Sequence, residues 1–223
     1  MAASSESLSA MILAGGYSRR MGTDKALLEL PEGRTLLERT VEVARELTSD
    51  VVIVTPWPER YTAVLGSTVR FITEDPALQR GPLGGLAHGL QQVRSDWCLV
   101  LACDLPQLES RALHDWWKWL QASALSAQTQ TAIASLVRCE TSAFKQQASQ
   151  KSNKQWETLC GFYRQSCLTS LRRYLDTASG AGDSTHLSIQ KWLESLSILA
   201  YSDLPQSNLF NCNTAEDWAK FCA

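Results

Sequence analysis

The residues able to do chemistry are concentrated in one stretch near the N-terminus, Leu13-Ala14-Gly15-Gly16-Tyr17-Ser18-Arg19-Arg20-Met21-Gly22-Thr23-Asp24-Lys25. Adjacent glycines at Gly15 and Gly16 let the backbone turn tightly and present N–H groups to an anion. Arg19, Arg20 and Lys25 follow closely and can neutralise several phosphate oxygens. The glycine spacing fits neither the P-loop nor the GxGxxG dinucleotide fingerprint. A lone Gly-Gly would be read as a turn before a solvated basic loop. The whole string, with its two arginines and a lysine, reads instead as a phosphate-binding loop, in which Gly15 and Gly16 offer N–H groups and Arg19, Arg20 and Lys25 offer charge.

Three further segments carry polar groups at places where a ligand could lie. Ala102-Cys103-Asp104-Leu105-Pro106 follows an apolar run. A carboxylate there could hold Mg²⁺, which takes one or two carboxylates and completes its shell with water and phosphate. The competing reading makes Asp104 a cap for the helix near Ser110. Glu74-Asp75-Pro76 gives an acidic pair, and Gly81-Pro82-Leu83-Gly84-Gly85 follows six residues after Asp75. Glycines at Gly81 and beyond would let a flat base approach the backbone. Phe210-Asn211-Cys212-Asn213-Thr214 offers two amides that both donate and accept. They could hold a polar ligand or form an Asx turn capping the helix expected at 215–221. Trp116, Trp117 and Trp119 read as packing residues, Cys98 and Cys103 as small buried hydrophobes, His88 as structural, and Arg172 and Arg173 as a solvated helix face.

Short, continuous apolar runs must position these loops. They fall at 10–14, 50–55, 69–73, 97–103 and 132–137, with further candidates at 158–164 and 197–201. Continuous rather than alternating runs suit strands covered on both faces, as in parallel sheets. Helical spacing recurs in 35–48, 82–93, 110–123, 167–177, 186–196 and 215–221. The alternation predicts a three-layer, doubly wound, mostly parallel α/β sheet of Rossmann-like type. Ligands of such sheets bind beyond the carboxyl ends of the strands. Residues 140–155, ETSAFKQQASQKSNKQ, are polar and read as a flexible insertion within one domain spanning 1–223.

The composition excludes several classes. With 223 residues, 44% hydrophobic and 20% charged, the chain can build a full core. A net charge of −2 provides no basic field for a dedicated nucleic-acid binder. The uncharged stretch 119–137 is too rich in Gln, Ser and Thr for a membrane span, and the first nine residues lack a signal-peptide pattern. Seven cysteines without a CxxC pair suggest free thiols in a reducing cytoplasm, and three scattered histidines offer no zinc spacing.

Taken together, LAGGYSRRMGTDKALLEL, EDPALQRGPLGG, LACDLP and FNCNTAEDW resemble the molybdenum cofactor guanylyltransferases, over the whole chain except the insertion. The sequence departs from the family pattern at Gly84, at Ala215, after the second strand at Val54-Thr55-Pro56-Trp57, and at Trp156-Glu157-Thr158. The resemblance implies a nucleotidyltransferase fold and transfer of GMP from GTP to the terminal phosphate of molybdenum-bound molybdopterin, with Mg²⁺ required and pyrophosphate released. It implies that Leu13, Ala14, Gly15, Lys25 and Asp75 contact GTP, that Asp104 binds Mg²⁺, and that Asn211 and Asn213 lie on the molybdopterin side. Lys25, Arg19 and the metal on Asp104 would neutralise the α-phosphate and the leaving pyrophosphate. It further implies transient contact with molybdoenzymes or cofactor-insertion proteins. Cytidylyl or other nucleotidyl transfer to a phosphorylated small molecule, or a non-catalytic cofactor carrier, stays open at this point.

Overall fold

The computed structural model describes residues 6–15, 23–75, 81–123, 126–139, 155–180 and 187–222. Three readings fall outside these residues: Gly16, Arg19 and its neighbour Arg20, and all of the insertion but Gln155.

Seven strands form one sheet, β1 (Leu8–Leu13), β2 (Val51–Thr55), β3 (Arg70–Thr73), β4 (Trp97–Ala102), β5 (Ala134–Arg138), β6 (Trp156–Arg164) and β7 (Ile198–Tyr201), in the order β3-β2-β1-β4-β6-β5-β7. The β3/β2, β2/β1, β1/β4 and β5/β7 pairs are parallel. β6 runs antiparallel to both of its neighbours, β4 and β5. A continuous apolar run cannot reveal this reversal, because a strand covered on both faces reads the same in either direction.

The helices are α1 (Leu36–Arg45), α2 (Pro58–Leu65), α3 (Gly81–Leu90), α4 (Ser110–Ala122), α5 (Ala127–Thr131), α6 (Cys167–Gly180), α7 (Ile189–Leu193) and α8 (Ala215–Cys222). The sheet alternates its apolar residues between two cores. Ala10, Ile12, Val51 and Ile53 face α1, α2 and α4, whereas Met11, Val52 and Val54 face α3, α6 and α7. α1 begins with a capping box, in which Thr35 accepts from the Glu38 backbone and Glu38 accepts from the Thr35 backbone. On α4, Trp116 is fully buried, stacks on Tyr201 and donates its indole N–H to Ser135 Oγ at 2.9 Å. The tryptophans of this helix therefore pack the core, as the apolar spacing implies. The helix expected at 186–196 is shorter: α7 spans five residues, of which Ile189, Trp192 and Leu193 are its buried anchors. α2 was not expected. It opens with Pro58 at its first turn and shows only Tyr61 and Leu65 as buried anchors, too few for a visible helical period. Among the described residues, no helix is long and apolar enough to cross a membrane.

Candidate active site

The strand order turns at β1, which has β2 and then β3 on one side and β4 on the other. The carboxyl ends of the parallel strands open there into a cavity of about 380 Å³. This is where open α/β sheets bind ligands. Leu13 pairs with Ala102 across β1 and β4. That register brings Ala14 and Gly15 on one loop beside Cys103 and Asp104 on the next, and all four line the cavity.

Lys25 reaches the same cavity from a short 3-10 turn, Lys25–Leu27. Asp24 fixes that turn: its carboxylate accepts from the Ala26 backbone N–H at 3.1 Å. The other Asp24 oxygen accepts from the Tyr61 hydroxyl at 2.9 Å, and the Tyr61 hydroxyl also lies 3.3 Å from the Ala14 carbonyl. Burial, then the Asp24 charge, pushes the Tyr61 phenol far above its ordinary pKa. It is therefore a neutral donor that ties the Lys25 turn to the glycine loop.

The Lys25 ammonium stands 3.7 Å from Asp104 Oδ2 and donates to Asn213 Oδ1 at 3.0 Å. The Lys25 and Asp104 side chains retain 16% and 19% exposure, so the pair is shielded but still reachable. One cation thus joins residues from three distant segments. The structural alternatives for both partners do not hold. α4 takes Glu109 as its N-cap, without a side-chain cap bond, so Asp104 is not its cap. At α8, Asp217 accepts from the backbone N–H groups of Asn213 and Thr214, and Thr214 Oγ1 accepts from the Asp217 N–H. Thr214 and Asp217 therefore cap the helix, leaving the Asn213 amide for Lys25. The segment is anchored beside the site by the Cys212 N–H, which donates to the Asp104 carbonyl at 3.0 Å. Asn211 Oδ1 is buried with no hydrogen-bond partner among the described residues, an acceptor that a ligand could satisfy.

Of the expected site residues, Leu13, Ala14, Gly15, Lys25, Gly81 and Asp104 line the cavity. Asp75 is exposed and is not part of the lining, where its neighbour Glu74 stands instead. Asp24 and Tyr61 were not singled out from sequence, and Glu74 was named only as half of an acidic pair of which Asp75 was taken as the contact. Asp24 could have been found as the residue preceding Lys25. Tyr61 lies on the unexpected α2 and carried no signal. Cys103 differs from a simple core residue. It lines the cavity, and desolvation, followed by the Asp104 and Asp24 charges, pushes its thiol up to about 12. It is a neutral thiol at ordinary pH.

A divalent metal is typical of nucleotidyltransferases. The donor chemistry suits a hard cation, since Asp104 brings carboxylate oxygen to the cavity wall next to room for phosphate oxygens and water.

Comparison with known proteins identifies the family. The family model of the MobA-like NTP transferase domain matches residues 10–196. A Nostoc sp. protein named probable molybdenum cofactor guanylyltransferase is 40% identical over 212 residues, covering 95% of this chain and 89% of its own. One from Synechococcus elongatus with the same name is 38% identical over 213 residues, covering 94% and 95%. The solved molybdopterin-guanine dinucleotide biosynthesis protein A of Archaeoglobus fulgidus superposes with a TM-score of 0.67 at 21% identity, covering 96% of each chain, and shares the fold. On the match across most of its length, the chain belongs to the MobA-like NTP transferase family and is a nucleotidyltransferase.

Proposed function

We propose that the protein transfers GMP from GTP to the terminal phosphate of molybdenum-bound molybdopterin, releasing pyrophosphate. The observation that carries this reading is Lys25 held between Asp104 and Asn213 at the mouth of the cavity. It is supported by relatives named for that activity across most of the chain.

The reaction joins two polyanions. A phosphomonoester oxygen of the acceptor attacks the α-phosphorus of GTP, a new P–O–P bond forms, and the α–β anhydride bond breaks. The second pKa of a phosphomonoester is about 6, so the nucleophile is already largely ionised and no general base is needed. The task of the protein is to position the groups and compensate their charge. Lys25 supplies a fixed cation beside the triphosphate, and Asp24 and Tyr61 hold its turn in place. Leu13, Ala14, Gly15 and Gly81 line the cavity and would contact the nucleotide, and Gly16 and Arg19, outside the described residues, would add phosphate contacts. Asp75, expected as a further nucleotide contact, is exposed beside Glu74 and would reach the nucleotide only from outside the lining. Asp104 would hold Mg²⁺, which supplies Lewis-acid neutralisation of the phosphate oxygens when bound. Asn211 and Asn213 face the acceptor, where the buried Asn211 oxygen calls for a donor. Residues 1–223 act as one nucleotidyltransferase domain, with 140–155 as an insertion. The seven free thiols fit a reducing compartment such as the cytoplasm. Product delivery would involve transient contact with molybdoenzymes or insertion proteins.

The test is pyrophosphate release from GTP or CTP with Mg²⁺ and a molybdopterin-loaded acceptor. GTP-dependent release with formation of the guanine dinucleotide is expected. Turnover with CTP and not GTP would overturn the guanylyl assignment, and cofactor binding without any pyrophosphate release would make the protein a carrier.

A further inference from the structure

The cavity has a second acidic wall that phosphate chemistry does not use. Glu74 follows β3, and its backbone N–H donates to the Thr55 carbonyl at 3.0 Å, which fixes its position against β2. Its carboxylate lies against two glycines, Gly15 in the loop after β1 and Gly85 on α3. A Cβ at Gly15 would stand 3.3 Å from Glu74 Oε2, and one at Gly85 would stand 3.4 Å from both carboxylate oxygens. The carboxylate therefore packs closely on the backbone of both glycines. Among the described residues, no donor hydrogen-bonds to it. Burial pushes its pKa up, opposed by His88. A desolvated carboxylate repels phosphate and is well satisfied by a pair of N–H donors.

The cavity lining also includes the apolar residues Leu13, Ala14 and Pro82. That is the lining a heteroaromatic base prefers. Among the nucleobases, guanine presents two adjacent donors on one edge, the ring N1–H and the exocyclic amino group, and these match the two oxygens of one carboxylate. Cytosine and adenine each place a ring acceptor beside a single amino donor, and uracil places its one N–H between two carbonyls. Against a carboxylate, those acceptors are repelled.

We propose that Glu74 is the specificity-determining residue for the nucleotide, accepting the N1–H and the exocyclic amino group of guanine between Gly15 and Gly85. The proposal rests on the GMP-transfer reading for its substrate, but its test separates the two. Binding of GTP, ITP and CTP to the intact protein is measured by calorimetry without acceptor, for wild type, Glu74→Gln and Glu74→Ala. Inosine lacks the exocyclic amino group and keeps N1–H, so wild type should bind GTP about 10- to 100-fold more tightly than ITP, the range for one hydrogen bond to a charged group. In Glu74→Gln, GTP binding should weaken by about 10-fold or more and the GTP/ITP ratio should fall to about one. A thermal melt of the same variants, followed by circular dichroism, reports that the fold is intact. In turnover, the change should appear in KM for GTP, with kcat altered by less than about threefold, because the base does not react. A wild-type GTP/ITP ratio in Glu74→Gln and Glu74→Ala overturns the proposal. Strong, Glu74-dependent GTP preference without pyrophosphate release would sink GMP transfer and leave the Glu74 assignment standing.

Discussion

Replacing Lys25 by methionine removes the ammonium and keeps most of the side-chain length. Lys25 sits 3.7 Å from Asp104 Oδ2 and 3.0 Å from Asn213 Oδ1. At about 4 Å from a phosphate oxygen of unit charge, an ammonium contributes about 4 kcal/mol at an effective dielectric near 20. Only the part that grows between bound GTP and the transition state lowers the barrier. The expected loss is therefore about 10²- to 10³-fold in kcat, the range found when one electrostatic stabiliser is deleted. Stability should change far less. Both partners of the Lys25–Asp104 pair keep some exposure, 16% and 19%, so its net worth to the fold is about 1 kcal/mol at most. For a chain of this size, that is a Tm shift of roughly 2–4 °C. The assay is pyrophosphate release at saturating GTP, metal and acceptor, paired with a thermal melt followed by circular dichroism. A folded Lys25→Met protein whose kcat stays within about fivefold of wild type would refute the electrostatic role.

Asp104→Asn keeps the shape of the side chain and removes its charge, so turnover should fall about 10²-fold or more and the divalent-metal concentration needed for half-maximal rate should rise; an unchanged metal titration would remove Asp104 from the metal site. Gly161 pairs with Leu136, where a Cβ would overlap Leu136 Cδ2 and stand 3.0 Å from the Ser135 carbonyl oxygen. Gly161→Ala should therefore lower stability by about 1–3 kcal/mol, read from urea denaturation, with kcat of the folded fraction preserved. Burial pushes the Cys167 thiol up to about 12, and desolvation does the same at Cys103, whereas an unfolded thiol ionises near about 8.5. The folded state keeps protons that the unfolded state releases, so this stability is fully present below about pH 8.5 and is lost as pH rises towards 12. The urea midpoint should drop between about pH 8 and 10, and a flat profile would contradict the burial argument.

The strands β1 to β4 were legible because each is a continuous apolar run ending at a loop rich in Gly, Asp or Pro. α2 was not, since two buried anchors on one turn leave no period to detect. The antiparallel course of β6 was hidden because burial on both faces erases the alternation that would distinguish an exposed face. Asp104 and Asn213 each carried two readings in the sequence, helix cap or ligand, because the same short polar side chains serve both.

By itself, the sequence determined the alternation of strand and helix, and hence a ligand site past the strand ends, and it placed the glycine- and arginine-rich candidate phosphate loop after β1. Local patterns suffice for this, because apolar periodicity and glycine spacing act over a few residues. Only the tertiary structure decided which polar groups meet. Lys25 and Asn213 are 188 positions apart and bond directly. Glu74, rather than Asp75, faces the cavity because the chain leaving β3 alternates sides and only one of the adjacent carboxylates can point inward. Thr214 and Asp217 took over the helix cap, which freed Asn213 for the site. Such choices depend on the register of β1 against β4 and on the packing of α2 and α8 near the strand ends. No stretch of a few residues encodes them.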